Sequence, residues 1–227
     1  MAAPVDALFP LSLLEGVRAV DRPIEDPETE FVAELRNKRL GLSDTVLAQI
    51  RRYAEAVRRG QQTTTEEVVA LARLIDRRPD AEVVFREAGR FLATRAYQSI
   101  GGTARRSVRS LPRFVARPLA ARQARRIARR YLGGLVERAG TTLVLEVPHP
   151  LTVDGGSDGA GCAFYSAGFG ELLRLLVGRA DAVEHERCCA RGEGRCRWRV
   201  EWPSTARSSG ERTGGERKGG ERKGGER

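Results

Sequence analysis

Apolar residues recur at helical spacing over most of the chain, and the pattern turns to alternation near the end. Leu8 to Val17 is apolar enough for a short helix, and Pro23 and Pro27 break the pattern beyond it. Ser43 stands where an N-cap belongs, ahead of Val46, Ile50, Tyr53 and Val57; a helix is predicted to about Arg59, where Gly60 ends it. Thr64 and Glu67 have capping-box spacing. Val68, Leu71, Ala72, Leu74 and Ile75 mark the second helix, which closes at Arg77, Arg78 and Pro79. Asp80 is placed to cap a third helix to about Ser99, with Val84, Phe85, Ala88, Phe91, Leu92 and Ala96 on one side. Gly101 and Gly102 stop it. A fourth helical stretch comes after Pro118. Leu119, Ala120, Ala124, Ile127, Ala128, Tyr131 and Leu135 form its apolar stripe, interrupted near the end by Gly133 and Gly134. Arg122, Arg125, Arg126, Arg129 and Arg130 crowd the other side.

Thr141 to Val147 alternates and is rich in β-branched residues, as a strand should be. A Pro/Gly/Asp-rich loop over 148–161 leads to a helix from Cys162 to Val177, with Phe169, Leu172, Leu173 and Leu176 inward. Ala182 to Ala190 and Arg195 to Trp202 read as strands around a Gly192, Glu193, Gly194 turn. The expected fold class is α/β of the α+β kind: a helical N-terminal part packed on a small, mostly antiparallel sheet. The expected divisions are an N-terminal extension over 1–28, one domain over 29–202 and a tail over 203–227. The tail repeats Gly, Glu, Arg and Lys with no apolar residue after Ala206. It cannot offset the entropy of ordering and should be disordered.

Composition narrows the class. The 227 residues are 41% hydrophobic, enough for a real core. No run of 18 apolar residues offers a transmembrane helix, and the N-terminus has no signal-peptide pattern. Metal-spaced cysteines without an export signal point to a reducing cytoplasm rather than to disulfides. The net charge of +10 has a local source: Ala88 to Val136 contains twelve arginines and no Asp or Glu. Such a tract attracts anions. The default for it is a solvated helix face. An apolar stripe opposite an arginine face also suits an anionic membrane surface, which would place the protein peripherally at the inner membrane. Nucleic acid is disfavoured, because neither stacking aromatics nor a DNA- or RNA-binding motif accompanies the charge.

The candidate chemistry lies in one window. All four cysteines and one of the two histidines fall between residues 162 and 196. Cys162, His185, Cys188 and Cys196 make three thiolates and one imidazole, a donor set that closes a tetrahedral zinc shell in structural sites. Cys162 would approach from a helix N-terminus, where the dipole favours a thiolate. Cys188 and Cys196 bracket the turn. His185 and Cys188 have odd spacing, which a regular strand would send to opposite faces. Either a bulge lies between them, or Cys189 or Glu186 takes a ligand's place. The plain alternative is that the cysteines are buried small hydrophobes.

The same window resembles the end of a 4-vinyl-reductase domain, also called a hydrocarbon-binding domain. Cys188, Ala190, Gly192, Glu193, Cys196 and Trp198 fall in register with that family's closing pattern, and His185 stands where the family has Glu. The bacteriochlorophyll-pathway branch is the most similar in flavour, through the doubled cysteine, Glu87 to Arg90 with Tyr97, and Pro118 to Arg122. The resemblance covers roughly residues 80 to 202. It implies a structural zinc, and an apolar cavity between helices and sheet, with Phe85, Phe91, Tyr97, Phe164, Tyr165, Phe169 and Trp198 as lining. Ordinary core packing is the alternative for each of them.

The family name implies reduction of a vinyl group on a chlorophyll precursor. The chain has no Gly-x-Gly-x-x-Gly after a strand, no phosphate loop and no flavin signature, and nothing pairs a nucleophile with a base, so no catalytic residue is assigned. The expected role is to hold a hydrophobic small molecule, a tetrapyrrole or bacteriochlorophyll precursor, in support of 4-vinyl (8-vinyl) reduction. Two alternatives stand beside it. One is an aromatic-effector sensor acting with a separate transcription regulator. The other is a scaffold, homodimeric like the vesicle-tethering relatives.

Overall fold

The computed structural model describes residues 4–22, 41, 43–101, 113–140, 142–153, 159–178 and 182–201. It is α+β. Strand β1 (Pro4–Asp6) leads into α1 (Leu8–Asp21), and then come α2 (Asp44–Arg58), β2 (Gln62–Thr64), α3 (Thr65–Asp76) and α4 (Ala81–Gln98). Helix α5 (Arg113–Ile127) runs into a π-helical turn (Ala128–Leu132), then β3 (Leu135–Ala139), β4 (Thr142–Val147), α6 (Cys162–Val177), β5 (Glu184–Arg187) and β6 (Cys196–Glu201).

The helix starts reflect local chemistry. The Ser43 side chain accepts the Val46 N–H, and the Thr64 side chain accepts the Glu67 N–H. Only half of the expected capping box forms there, because the Glu67 carboxylate turns to Tyr53, Thr63 and Arg52. Asp80 makes no side-chain cap for α4. Its carboxylate is held by Arg78, which also donates to both oxygens of the buried Asp21 at 2.6 and 3.1 Å.

Helix α4 lies between α1 and α6, and both crossings are tight. A Cβ on Gly16 would sit 2.7 Å from the Val84 carbonyl oxygen, and one on Gly89 would sit 2.1 Å from that of Phe164. Glycine lets the backbones of α4 and α6 meet directly. Residues 1–28, expected as an extension, contain β1 and α1, and Leu8, Phe9, Leu13 and Val17 of α1 belong to the common core. β1 pairs with β2, a two-stranded ribbon that sequence periodicity does not mark.

The second sheet has the order β3-β4-β6-β5, antiparallel throughout. Leu143, Leu145 and Val147 of β4 and Cys196, Trp198 and Val200 of β6 point into the core. The opposite face carries ion pairs, among them Arg195 to Glu146 and Arg197 to Glu186. This alternation is what one buried face requires.

Several expected boundaries move. α1 continues past Val17 to Asp21, and the fourth helical stretch begins at Arg113, with Pro118 inside it. Leu135 belongs to β3, not to the helical stripe: Gly133, at φ 60°, ends the π turn, and Leu135 is exposed on the strand. The strand expected over Ala182–Ala190 is only Glu184–Arg187, because the chain bulges at Glu186 and then winds into a 3-10 turn, Cys189–Arg191. No described helix is long and apolar enough to cross a membrane. The repeat tail lies outside the described residues.

Candidate metal centre

Three elements converge on one point. Cys162 is the first residue of α6, so its sulfur sits at the positive end of the helix dipole. The loop before α6 is tied down from two sides: Thr152 Oγ1 donates to the Gly161 carbonyl at 2.7 Å, and the Leu151 N–H donates to the buried Tyr165 hydroxyl at 2.9 Å. Cys196 opens β6 opposite Val147 and is fully buried. His185 comes from β5, opposite Trp198.

The bulge solves the parity problem between His185 and Cys188. β5 pairs regularly at His185, slips at Glu186 and resumes at Arg187, opposite Arg197. One extra residue re-aims the strand, and Cys188 then lies on the same side as His185. After Cys188 the 3-10 turn closes on its carbonyl, which accepts the Arg191 N–H at 3.1 Å and the Glu193 N–H at 3.3 Å. Gly192 and Gly194 have φ of 79° and 76°, a conformation that glycine takes without strain. The Glu193 carboxylate accepts the Cys188 N–H from across the turn.

As a result the donor atoms of Cys162, His185, Cys188 and Cys196 all lie within 4.8 Å of one another. Cys162 Sγ and Cys188 Sγ are 3.5 Å apart. A tetrahedral shell with metal–sulfur bonds of about 2.3 Å has sulfur–sulfur edges of about 3.8 Å. The side chains therefore need move little to close on an ion. His185 is held by stacking: its ring lies 4.9 Å from that of Trp198 and within 9° of parallel. Its Nε2 is buried and has no hydrogen-bond partner. The imidazole also hydrogen-bonds to the Cys196 sulfur, which sets it among the thiols. The cluster could hold a metal ion.

Its electrostatics without metal agree. Cys196 is pushed down to about 5, first by the hydrogen bond from the Cys162 thiol and further by the Cys189 N–H, 3.2 Å from Cys196 Sγ. The same shared proton, then burial, pushes the Cys162 thiol well above its usual range. One negative charge is concentrated at the sulfur that a cation would meet.

The two substitute ligands stand differently. Glu186 turns outward to Arg197 and Arg199. Cys189 is outside the four-donor group but beside it: its N–H and its thiol both hydrogen-bond to the Cys196 sulfur, and burial pushes the thiol up to about 11. Spacing does not single out Glu193 as a supporting residue. The signal available is its place in the turn between Gly192 and Gly194, within reach of the backbone that the turn closes.

The structure places the seven aromatics expected as cavity lining within or against the core. Phe85, Phe164, Tyr165, Phe169 and Trp198 are fully buried, Tyr97 is 9% exposed, and Phe91 is half-buried under the Arg95 guanidinium. Phe9, Phe164, Tyr165, Trp198 and His185 form one continuous column, with ring centres 4.7 to 5.2 Å apart. A cleft of about 740 Å³ lies elsewhere and is lined by none of the seven.

Comparison with protein-family models, curated proteins and solved structures finds no match. The functional reading therefore rests on the cluster and on the residues around it.

Proposed function

We propose that the chain is a metal-stapled small-molecule-binding domain whose Cys162, His185, Cys188 and Cys196 hold a structural zinc ion. The observation that carries this is the convergence of four donors at the meeting of α6, β5 and the β5–β6 turn, with His185 Nε2 buried and unpartnered. Three thiolates and an imidazole suit zinc, although the softer divalent metals accept the same donors. Four protein ligands fill a tetrahedral shell, so the ion's work is to fasten helix to sheet.

The ligand reading is that of a 4-vinyl-reductase-type domain. It holds a hydrophobic small molecule, a tetrapyrrole or bacteriochlorophyll precursor, in support of vinyl reduction. Its support is that five of the residues carrying the resemblance have structural roles. Cys188 and Cys196 supply sulfur, Gly192 makes the turn, Glu193 braces it and Trp198 stacks on His185. Native mass spectrometry of the purified chain tests both parts. One zinc with a retained mass near that of a chlorophyll precursor is the expected result. Zinc with no retained mass would shift the reading to a sensor or a dimeric scaffold. Four free thiols and no metal in a folded chain would overturn it.

A further inference from the structure

The cleft of about 740 Å³ is bounded by the start of α1, the ends of α2 and α4, and the π-helical turn. That volume lies within the ordinary range for small-molecule sites. Its walls are of two kinds. Leu8, Leu11, Val57, Ile127 and Tyr131 make an apolar floor, and Arg58, Arg95, Arg126 and Arg130 stand around it.

The arginines are not equivalent. Arg130 is engaged with Asp6, whose other oxygen accepts the Leu8 N–H. Arg58 is engaged with Glu55. Among the described residues, Arg95 and Arg126 have no carboxylate partner, and both are exposed. The C-terminal ends of α2 and α4 also reach the cleft, and each contributes about half a negative charge. Two free guanidiniums against roughly one negative charge leave the cleft with an excess of about one positive charge.

A second observation marks the same place. The helix wall widens into π hydrogen bonding at Ala128–Leu132, closed by the Gly133 N–H on the Ala128 carbonyl, and Arg130 and Tyr131 of that turn both line the cleft. The turn closes the helix at a left-handed Gly133 and sets both side chains on the cleft wall.

We propose that this cleft binds an amphipathic organic monoanion, a carboxylate head held by Arg95 and Arg126 on an apolar body seated over Leu11, Val57 and Ile127. Guanidinium groups present paired donors that match a carboxylate. This rests on the small-molecule reading above and gives it a place and a recognising group, distinct from the aromatic column and from the metal cluster.

The test uses the full chain and two fluorescent probes of one shape, pyrenebutyrate and its neutral alcohol, pyrenebutanol. Fluorescence anisotropy should show the acid binding about tenfold or more tightly than the alcohol, the ratio expected when charged hydrogen bonds are gained. Arg95→Gln and Arg126→Gln should each weaken the acid by about tenfold and leave the alcohol unchanged. Both side chains are exposed, so circular dichroism should not move, and loss of the Arg95 contact with the Phe91 ring should lower the melting temperature by no more than about 4 °C. Equal binding of acid and alcohol, or variants that bind the acid as the wild type does, would overturn the proposal while leaving a small-molecule domain standing. Retention only on anionic phospholipid vesicles, with no binding of the free acid, would overturn it in favour of a membrane surface. Zinc content, read separately, is expected to be unchanged in both variants, so failure of the metal reading would be seen on its own.

Discussion

Replacing Cys196 by serine separates a ligand from a packed sulfur. Cys196 is fully buried on β6, faces Cys162 and accepts the Cys189 N–H. Serine removes one of four donors and leaves a shorter, more polar group in the same space. Without metal the cost is that of a poorly satisfied buried hydroxyl, about 1–3 kcal/mol. With metal the wild type gains a linkage term of about 2.7 kcal/mol when free metal exceeds its dissociation constant a hundredfold, and a three-donor site gains little of it. A domain of this size shifts by about 2–4 °C per kcal/mol, so chelation should lower the wild-type melting temperature by about 5–11 °C. The variant should start several degrees lower and fall by about 3 °C or less on chelation. Thermal unfolding of both proteins with stoichiometric zinc and with chelator makes the comparison. An equal fall in both, or none in the wild type, would refute the metal centre and make Cys196 an ordinary core residue.

Two further outcomes come from the packing and the ion pairs. Gly89→Ala forces the α4–α6 crossing apart, because its Cβ would stand 2.1 Å from the Phe164 carbonyl oxygen. A steric cost of about 3 kcal/mol less roughly 1 kcal/mol of helix propensity should lower the melting temperature by about 4–8 °C. Gly168→Ala, with its Cβ 3.2 Å from the Gly89 carbonyl oxygen, should be far milder; equal effects would contradict the crossing geometry. Hydrogen bonds from Thr63 and Tyr53 hold the Glu67 carboxyl below its usual range. Its contribution is therefore present above the unfolded value and lost as pH falls through the folded one. Urea midpoints should drop between about pH 5 and 3, and Glu67→Gln should flatten that part of the profile. A profile identical to the wild type's would remove Glu67 from the account.

The candidate metal donors were legible because coordination chemistry constrains residue type and spacing together. The parity of His185 and Cys188 called for a bulge or a substitute ligand, and the chain bulges at Glu186. The capped helices were legible for a similar reason: Ser43 and Thr64 act over three residues of local sequence. The features that were not legible depend on distant partners. β1 and β2 are three-residue strands almost sixty positions apart, too short to carry a period and paired only because α1 brings Pro4–Asp6 back to Gln62–Thr64. β3 was hidden because Leu135 continues the helical stripe, and only the left-handed turn at Gly133 redirects it. The arginine tract was plain as charge. Its meaning was not, since Ala120, Ala124, Ile127 and Ala128 of the same helix are buried in the core and leave only guanidiniums outside.

The aromatic column joins these levels. Phe9 of α1 packs on Phe164, Phe164 on Tyr165, Tyr165 on Trp198, and Trp198 on His185. Each ring is positioned by a different constraint: α1 by its close crossing at Gly16, Tyr165 by the Leu151 N–H, Trp198 by its register with Leu145. The column ends on the imidazole of His185, one of the four clustered donors. Packing that begins at the ninth residue thus delivers a preoriented ligand to a cluster whose other three donors come from a helix start and a turn. Three buried sulfurs and a half-buried imidazole are thus brought together from separate parts of the chain, and an ion bound there would tie those parts to one another.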